Sequence, residues 1–423
     1  MHQPVFQQSN LQQKIAWQTK SEKLMMDFPK AKIPTDPVLC AATFGWNIGN
    51  RVRCVLDAGS VKHVTSGRIA IAHALRQMGV TAGDQVLIPA YHSRSMVEPV
   101  IWAGAEPVFF RVHGDTKVDL EDVLARLTPR SKVVMAVNYF GFPQDLLQIR
   151  SFCNQHGLLM LEDCAHGFFG EHAGRPLGAF GDYAIGSTMK FLPVYDGGCL
   201  ISARHRLDGI ELQSGGLKFE VKTALNTLER AFAYDRMRPF SLFMSVPFHL
   251  KNFFWSRIKK QSGTTAAALG PKSSDGAFGF ETSWLDKRAS LMSRLLIRHA
   301  SRRRIADYRR ANYLRLLAAF GMLRGCRPLY PVLPAGTVPW VFPLVVDDAD
   351  RLFPLLKYAG VPIVRFAEFL WDGVDERTCM VSADLSRKVL QFPCHQELKP
   401  AEIQWMIDSA RTILSAAPEQ VAA

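Results

Sequence analysis

The sequence predicts an α/β protein, with a mainly parallel sheet in a large domain and a smaller C-terminal α/β domain. Between Thr65 and Ser202, short apolar runs alternate with helical patterns, which is the order that places parallel strands beneath covering helices. Several runs are apolar at every position, as expected for strands that are buried on both faces. The length of 423 residues suits two domains, or one large domain with a smaller appendage.

The elements of the large domain follow one another along the chain. Ser66 is predicted to cap a helix that runs to about Met78, and Asp119 to open a helix that ends near Leu127. A further helix is predicted over residues 146–156. The predicted strands cover residues 85–89, 107–110, 132–137 and 158–161.

The alternation stops at about residue 204, and a loop rich in small residues leads up to residue 278. A strand-like run at 338–346 and helical patterns near 350–359 and 400–414 indicate a second α/β unit. The predicted parts are therefore an N-terminal arm over 1–35, a large domain over 36–204, an insertion over 205–278 and a small C-terminal domain over 279–423.

The chain is basic, with 51 Lys and Arg against 38 Asp and Glu and a formal net charge of +13. Such an excess suits nucleic acid, an acidic membrane surface or anionic substrates. Much of it lies between Arg298 and Arg310. We interpret this run as the solvated face of a long helix, with Ile305, Tyr308 and Ala311 on the buried side. No nucleic-acid motif accompanies it, so we expect no nucleic-acid partner.

The eight cysteines never form a C-x-x-C pair, and several lie inside apolar runs. We therefore expect reduced thiols in a cytoplasmic protein, without a disulfide framework or a metal site. The first 20 residues lack the apolar core of a secretory signal. No apolar stretch has the length that a membrane-spanning helix requires.

Residues 240–260 combine aromatic and basic side chains. Segments of this composition can lie in a membrane interface, so peripheral membrane contact is one hypothesis. Pro247 interrupts any continuous amphipathic helix. The sequence therefore favours an insertion that packs on the protein or on a partner subunit.

A carboxylate, a hydroxyl and an amine are predicted to meet at one edge of the sheet. The apolar run 158–161 is followed by Glu162 and Asp163, and ligands bind at the carboxyl ends of parallel strands. The segment 181–190 then returns Ser187 and Lys190 to the same region. This set suits pyridoxal phosphate (PLP): the amine forms the Schiff base, the carboxylate pairs with the pyridinium nitrogen, and the hydroxyl helps to hold the phosphate.

Short motifs along the chain occur in an order that identifies a family. They include Ser66-Gly67-Arg68, Asn138-Tyr139-Phe140-Gly141, Glu162-Asp163-Cys164-Ala165-His166, Ser187 to Lys190, Asp196-Gly197-Gly198 and Phe392-Pro393-Cys394-His395. Together they resemble the DegT/DnrJ/EryC1/StrS family of PLP-dependent sugar aminotransferases. The resemblance implies the aspartate-aminotransferase (type I) fold.

The resemblance also implies roles for individual residues. Lys190 would be the Schiff-base lysine and then the proton shuttle, and Asp163 would pair with the ring nitrogen. His166 occupies the family position near the phenolic oxygen of the ring. The family usually places its lysine five positions after its serine, whereas Lys190 follows Ser187 by three.

The phosphate would lie at the start of the helix that Gly67 and Arg68 open, because a helix N-terminus binds anions through its N–H groups. Arg68 stands where the family has threonine, and it either adds charge to this site or points away. The family often stacks an aromatic ring on the cofactor from the position that is Ser93 here. Tyr91 or His92 would have to take that place.

The leading functional hypothesis is transfer of an amino group from an amino acid such as glutamate to a nucleotide-linked ketosugar, in surface polysaccharide or glycan biosynthesis. One alternative is a PLP-dependent sugar dehydratase, but such relatives have histidine in place of Lys190. Another is a non-catalytic or regulatory relative that retains the fold. The resemblance implies a homodimer, although Gly279-Phe280-Glu281 only partly matches the family segment that supplies an asparagine across the interface.

Overall fold

The structure is a computed structural model that describes residues 29, 31–45, 52–237 and 280–415. Most of the predicted N-terminal arm and the whole 240–260 segment lie outside these residues, so the hypothesis of membrane contact stays a prediction. The described residues contain a seven-stranded sheet, a four-stranded sheet and one short two-stranded sheet.

The large sheet confirms the predicted parallel architecture. Its strand order is β1-β9-β8-β5-β4-β2-β3. Strands β3, β2, β4, β5 and β8 are mutually parallel. Near the other edge, β9 is antiparallel to both of its neighbours, β8 and β1. A separate hairpin joins β6 and β7. The strands are β1 Ser60–Val64, β2 Gln85–Pro89, β3 Glu106–Phe110, β4 Ser131–Val137, β5 Leu159–Cys164, β6 Glu171–His172, β7 Arg175–Pro176, β8 Tyr183–Ser187 and β9 Gly198–Ser202.

Two helices of this region begin at the predicted caps. The Ser66 hydroxyl accepts a hydrogen bond from the Ile69 N–H at 3.4 Å, and the Asp119 carboxylate accepts one from the Asp122 N–H at 3.0 Å. Such caps satisfy N–H groups that have no intrahelical partner. The helices are α1 Gly67–Gln77, α2 Arg94–Trp102, α3 Leu120–Ala125 and α4 Leu146–Gln155.

The later part of the chain forms a smaller antiparallel sheet with its own helices. Its strand order is β10-β11-β13-β12. The strands are β10 Cys326–Pro328, β11 Val341–Val346, β12 Val364–Arg365 and β13 Val389–Pro393. The helices that follow the large sheet are α5 Leu217–Ala233, α6 Leu291–His299, α7 Arg302–Phe320, α8 Ala349–Tyr358, α9 Glu376–Lys388 and α10 Pro400–Ser415.

The predicted domain boundary at residue 279 stays a prediction. The chain just after this boundary contacts the large sheet. The Ala289 N–H donates to the carbonyl of His63, in β1, at 3.1 Å. The Ser290 N–H donates to the Asp196 carboxylate at 2.9 Å. The smaller sheet itself begins only at Cys326.

The basic run 298–310 differs from its prediction. It contributes to two helices, α6 and α7, and Ile305 is buried as expected. Tyr308 and Ala311 are exposed, however, whereas Arg302 and Arg309 are buried. The interpretation as a solvated basic face is wrong for these two arginines, because Arg302 pairs with the Asp57 carboxylate and Arg309 donates to the Trp340 carbonyl.

Two further features concern the described residues. No helix among them is long and apolar enough to cross a membrane. Nor do those residues contain a group of three or more His, Cys, Asp or Glu side chains arranged to hold a metal ion. All eight cysteines are unpaired thiols.

Candidate active site

Asp163 lies near the carboxyl end of β5 and lines a cavity at that edge of the large sheet. Its register partners in the neighbouring strands, Val137 and Ile185, line the same cavity. The side chain is only 4% exposed, and its Oδ1 accepts a hydrogen bond from the Ala165 N–H at 2.8 Å. The strand therefore delivers a buried carboxylate to the cavity, as the apolar run predicted.

Glu162, the residue before Asp163, has a different environment because successive side chains of a strand face opposite sides of the sheet. Glu162 is fully buried, and its carboxylate accepts hydrogen bonds from Asn138 Nδ2 at 3.1 Å and from the Gly178 and Phe180 N–H groups at 2.8 and 3.1 Å. These donors satisfy the carboxylate within the protein. Glu162 thus holds the chain that leads into β8, and Asp163 is the carboxylate left for the cavity.

The start of α1 forms one end of the cavity. Gly67, Arg68 and Ser187 all line it. A Cβ atom built on Gly67 would lie 3.9 Å from the Ser187 Cβ, so the helix start and this hydroxyl are neighbours. The Arg68 Nε lies 3.7 Å from the Glu98 carboxylate, and the Arg68 side chain is only 10% exposed. The N–H groups of the helix start and the Ser187 hydroxyl therefore meet at one end of the cavity, where an anion is favoured, and the charge of Arg68 beside them is paired with Glu98.

Two glycines allow the chain to pack this closely. A Cβ atom on Gly198, the first residue of β9, would lie 2.3 Å from the Ser66 carbonyl carbon. Gly197 has a φ of 141°, and a Cβ atom there would lie 2.2 Å from the Thr188 hydroxyl. The Gly197-Gly198 motif therefore brings β9 against both the helix start and the turn that carries Lys190.

Lys190 ends a single 3-10 turn, Thr188–Lys190, directly after β8. Both Ser187 and Lys190 line the cavity, so the short spacing between them still brings hydroxyl and amine to one site. The Lys190 Nζ lies 4.6 Å from the centre of the Trp340 ring, which is a cation–π contact.

His166 lies against the same tryptophan, with its ring centre 4.1 Å from that of Trp340. Burial, and next the charge of Lys190, hold the pKa of His166 well below its ordinary value, so the imidazole is neutral. Its Nδ1 accepts a hydrogen bond from the Phe140 N–H at 3.4 Å. We therefore assign the ring proton to Nε2, which makes His166 a hydrogen-bond donor at the cavity.

Tyr91 and His92 do not line the cavity. Tyr91 is fully buried and stacks on Tyr139 with 5.3 Å between ring centres. The His92 Nε2 accepts a hydrogen bond from the Trp371 N–H at 3.0 Å, and burial lowers the pKa of His92 to about 4. The expectation that one of these rings stacks on the cofactor is therefore corrected, because both are already packed in the interior. Ser93, two residues after Tyr91, does reach the cavity.

Aromatic residues from the later part of the chain complete the surroundings of the site, and sequence reasoning missed them. Phe366 follows β12, lines the cavity and meets the His166 ring edge-on at 4.8 Å. Trp340 precedes β11 and contacts both His166 and Lys190. Both residues occur in apolar stretches that resemble ordinary core, so no local signal marked them as part of the site.

The donor set of the cavity fits PLP. A helix start with an arginine and a serine suits the phosphate, a carboxylate suits the ring nitrogen, an imidazole N–H suits the phenolic oxygen, and an amine suits the aldehyde. The six residues that would hold the cofactor are Gly67, Arg68, Asp163, His166, Ser187 and Lys190, all of which line this one cavity.

Comparison with solved structures assigns the fold class. The structure superposes on a DegT/DnrJ/EryC1/StrS aminotransferase from Brucella abortus with a TM-score of 0.57, over 97% of this chain and 99% of that chain, at 19% identity. The fold is therefore the type I fold of PLP-dependent aminotransferases, as predicted. Residues 52–218 match the model of the DegT/DnrJ/EryC1/StrS aminotransferase family. The resemblance expected from the motifs is confirmed for this part of the chain.

Curated relatives match about a third of this chain. A GDP-perosamine synthase of Vibrio cholerae is 34% identical over 148 residues, which cover 34% of this chain and 40% of the relative. A UDP-N-acetyl-3-dehydro-alpha-D-glucosamine 3-aminotransferase of Acidithiobacillus ferrooxidans is 32% identical over 147 residues, which again cover 34% of this chain and 40% of the relative. The similarity thus spans less than half the length of either relative.

Proposed function

We propose that this protein is a PLP-dependent aminotransferase that moves an amino group from an amino acid to a ketosugar. The observation that carries the proposal is the single cavity in which Lys190 and Asp163 face a helix start suited to phosphate. The fold and the family match over residues 52–218 support it. We favour a nucleotide-linked sugar as the acceptor, because the names of both curated relatives above include a nucleotide sugar.

When bound, PLP would carry the amino group from donor to acceptor. The donor amino acid becomes a 2-oxo acid and the sugar ketone becomes an amine, so the reaction needs no external oxidant or reductant. Lys190 anchors the cofactor and, once released, takes a proton from one carbon and returns it to another. Lys190 lines the cavity, and its amine lies 4.6 Å from the centre of the Trp340 ring.

The remaining residues bind, orient and exclude water. The Asp163 carboxylate keeps a proton on the ring nitrogen, and a buried carboxylate is stabilised by such a partner. His166 would donate a hydrogen bond from its Nε2 N–H to the phenolic oxygen. Gly67, Arg68 and Ser187 would hold the phosphate end, and Phe366 adds an apolar ring to the lining of the cavity.

Several finer features belong to the same proposal. Glutamate as amino donor, a homodimer and a role in surface polysaccharide or glycan synthesis follow from the family resemblance. The cytoplasmic location follows from the pattern of unpaired cysteines. The basic character of the chain, +13, suits a substrate that carries a diphosphate.

The test is the visible absorption spectrum of the purified protein with PLP supplied, before and after borohydride, followed by mapping of the labelled peptide. We expect a yellow band that borohydride traps on Lys190. The band should persist in Lys222→Ala, since Lys222 is a half-buried lysine outside the cavity lining, and should vanish in Lys190→Ala. Absence of the band, or label on another lysine, would overturn the proposal.

Addition of glutamate then separates the proposed enzyme from a non-catalytic relative. A catalytic protein should lose the yellow band and release one 2-oxoglutarate for each bound cofactor. Glutamine and alanine are tested in the same way. A band that borohydride traps but that none of these amino acids removes would favour the regulatory alternative. Loss of a hydroxyl from the sugar without gain of nitrogen would favour the dehydratase.

A further inference from the structure

Arg309, on α7, is a fully buried arginine whose guanidinium contacts the main chain of the lysine turn. Its Nη2 donates a hydrogen bond to the Lys190 carbonyl at 3.0 Å. Its Nη1 donates to the Trp340 carbonyl at 2.7 Å, and its Nε donates to the Gln396 side-chain oxygen at 3.0 Å. One planar group thus joins the lysine turn to two segments of the later chain.

The next residue of the turn is held by the same two side chains. The Arg309 guanidinium carbon lies 4.4 Å from the centre of the Phe191 ring. The Gln396 amide donates a hydrogen bond to the Phe191 carbonyl at 2.9 Å. Lys190 and Phe191 are therefore both fixed from outside the large sheet.

This arrangement is costly for the protein to maintain. Burial lowers the pKa of Arg309 to about 10, which still leaves the group charged at neutral pH. Its guanidinium donates to the Pro339, Trp340 and Lys190 carbonyls and to the Gln396 side-chain oxygen, and none of these acceptors carries a charge. Replacing a buried charge by an apolar side chain of similar volume is often neutral or stabilising. A buried arginine that donates hydrogen bonds to main-chain carbonyls therefore indicates that the protein needs these carbonyls in defined positions.

We propose that Arg309 is a positioning residue, which sets the place of the Lys190 amine relative to the Trp340 ring. The guanidinium binds the carbonyls of Lys190 and Trp340, the same two residues whose side chains contact each other at 4.6 Å. Loss of the guanidinium would release the turn and let the amine leave its place beside the tryptophan. The inference rests on the proposed function, since the position of Lys190 matters because the cofactor bonds to it.

The experiment compares Arg309→Met with Arg302→Met on the same helix. Arg302 is also buried, but its Nη1 pairs with the Asp57 carboxylate at 2.5 Å and does not touch the lysine turn. The measurement is the rate at which the yellow band forms after PLP is added to the cofactor-free proteins, with label mapped to Lys190. We expect Arg309→Met to slow band formation by about 10- to 100-fold, because a small misplacement of a reacting group costs that much. Arg302→Met should form the band at the wild-type rate.

A conservative variant separates positioning from general loss of structure. Arg309→Lys keeps a positive charge but cannot reach several acceptors at once. We expect its rate to fall between those of wild type and Arg309→Met, and thermal unfolding of the cofactor-free proteins to show that all are folded. If Arg309→Met does not fold, Arg309→Lys decides the question, and a wild-type rate for that variant would overturn the proposal. Equal slowing by Arg302→Met and Arg309→Met would also overturn it.

A readout without cofactor distinguishes failure of this inference from failure of the proposed function. In the PLP-free proteins, acetic anhydride modifies lysine amines, and peptide mapping gives the rate for Lys190 relative to Lys222. We expect Arg309→Met to change that ratio several-fold and Arg302→Met to leave it unchanged. An unchanged ratio in Arg309→Met would remove the positioning role. Absence of any yellow band in wild type would instead remove the proposed function.

Discussion

The surroundings of the cavity come from two regions of the chain that differ in origin and in chemistry. The first wall consists of Gly67, Asp163, Ser187 and Lys190, which lie at the ends of helices, strands and a single turn in the large sheet. The second wall consists of Trp340 and Phe366, which belong to segments around the smaller sheet. The first wall is polar and can bond to a ligand, whereas the second is aromatic.

The difference indicates how the two walls are specified. Ends of secondary structure place polar groups by local rules, since a helix start exposes N–H groups and a parallel strand delivers its last side chains to one edge. Aromatic rings reach the site only after two sheets have packed together. Substitutions in the first wall should therefore change the chemistry more than the stability. Substitutions in the second wall should change both.

The largest effect on activity is expected for Asp163. Substitution of Asp163 and of its neighbour Glu162 tests whether the two faces of β5 differ in function. Asp163→Asn should lower turnover by about 100-fold or more, because the ring nitrogen loses its proton-holding partner. The free energy of unfolding of the cofactor-free protein should change little.

Glu162→Gln is the matched variant, with the same loss of charge one residue away. It should lower the free energy of unfolding by about 1–3 kcal/mol, because an amide cannot accept from all the donors that now bind Glu162. Turnover and urea unfolding measure the two effects. A fall in turnover as large as that of Asp163→Asn, in a folded Glu162→Gln protein, would contradict the division between the faces.

A somewhat smaller effect is expected where the first wall depends on close packing. Gly198→Ala should cost about 1–3 kcal/mol of unfolding free energy, because the new Cβ atom would collide with the Ser66 carbonyl carbon at the helix start. The same shift should weaken PLP binding, measured by equilibrium dialysis. Gly209→Ala is the control, since nothing lies within 4 Å of a Cβ atom there. Equal PLP affinity in both variants would show that the helix start does not contribute to binding.

The sequence was sufficient to predict most of the first wall. Ser66 and Asp163 stand at boundaries where a periodic pattern begins or ends, and Lys190 follows the next strand by a single turn. The same local reasoning predicted four strands and three helices of the large domain in their order, because an apolar strand pattern needs no knowledge of its neighbours, but it gave no prediction for β1, α2 or β9. It did not predict α5, which lies after residue 204, where the alternation of strand and helix patterns stops.

The second wall could not be predicted in that way. Trp340 and Phe366 look like core residues, and Arg309 lies in a basic run that suggests solvent. Each acquires its role from contacts between distant parts of the chain, which hydrophobic periodicity does not encode. The prediction that Tyr91 or His92 stacks on the cofactor did not foresee the positions of these two rings for the same reason. Their place near a strand end was predicted correctly, but tertiary packing directs both rings into the interior.

A moderate effect should follow from removing the ring at which the two walls meet. Trp340→Leu removes the contacts with the His166 ring and the Lys190 ammonium. It should lower the unfolding free energy by about 1–2 kcal/mol, from an aromatic pair and a cation–π contact. Trp340→Phe should retain most of that energy. Urea unfolding of the cofactor-free proteins checks the order, and equal stabilities of the two variants would mean that the ring contacts contribute nothing.

The smallest effect concerns pH and follows from the lowered pKa of His166, whose first cause is burial and whose second is the charge of Lys190. Between the ordinary histidine pKa of about 6.5 and the lower folded value, the unfolded chain binds a proton that the folded protein does not. The contribution of His166 to the free energy of unfolding is therefore fully present above about pH 6.5, and it decreases as the pH falls below that value. His166→Asn should make this acid loss shallower, by up to about 1.4 kcal/mol per pH unit.

Lys190→Ala sharpens that result, because it removes one of the two causes and leaves burial in place. The folded pKa of His166 should then rise towards its ordinary value, so that the acid loss spans a narrower pH range than in wild type. Urea unfolding of cofactor-free wild type, His166→Asn and Lys190→Ala between about pH 7 and 5 gives the three slopes. A slope in His166→Asn identical to that of wild type would mean that His166 is protonated equally in the folded and unfolded chains. The ring would then not be a neutral donor at the boundary between the two walls.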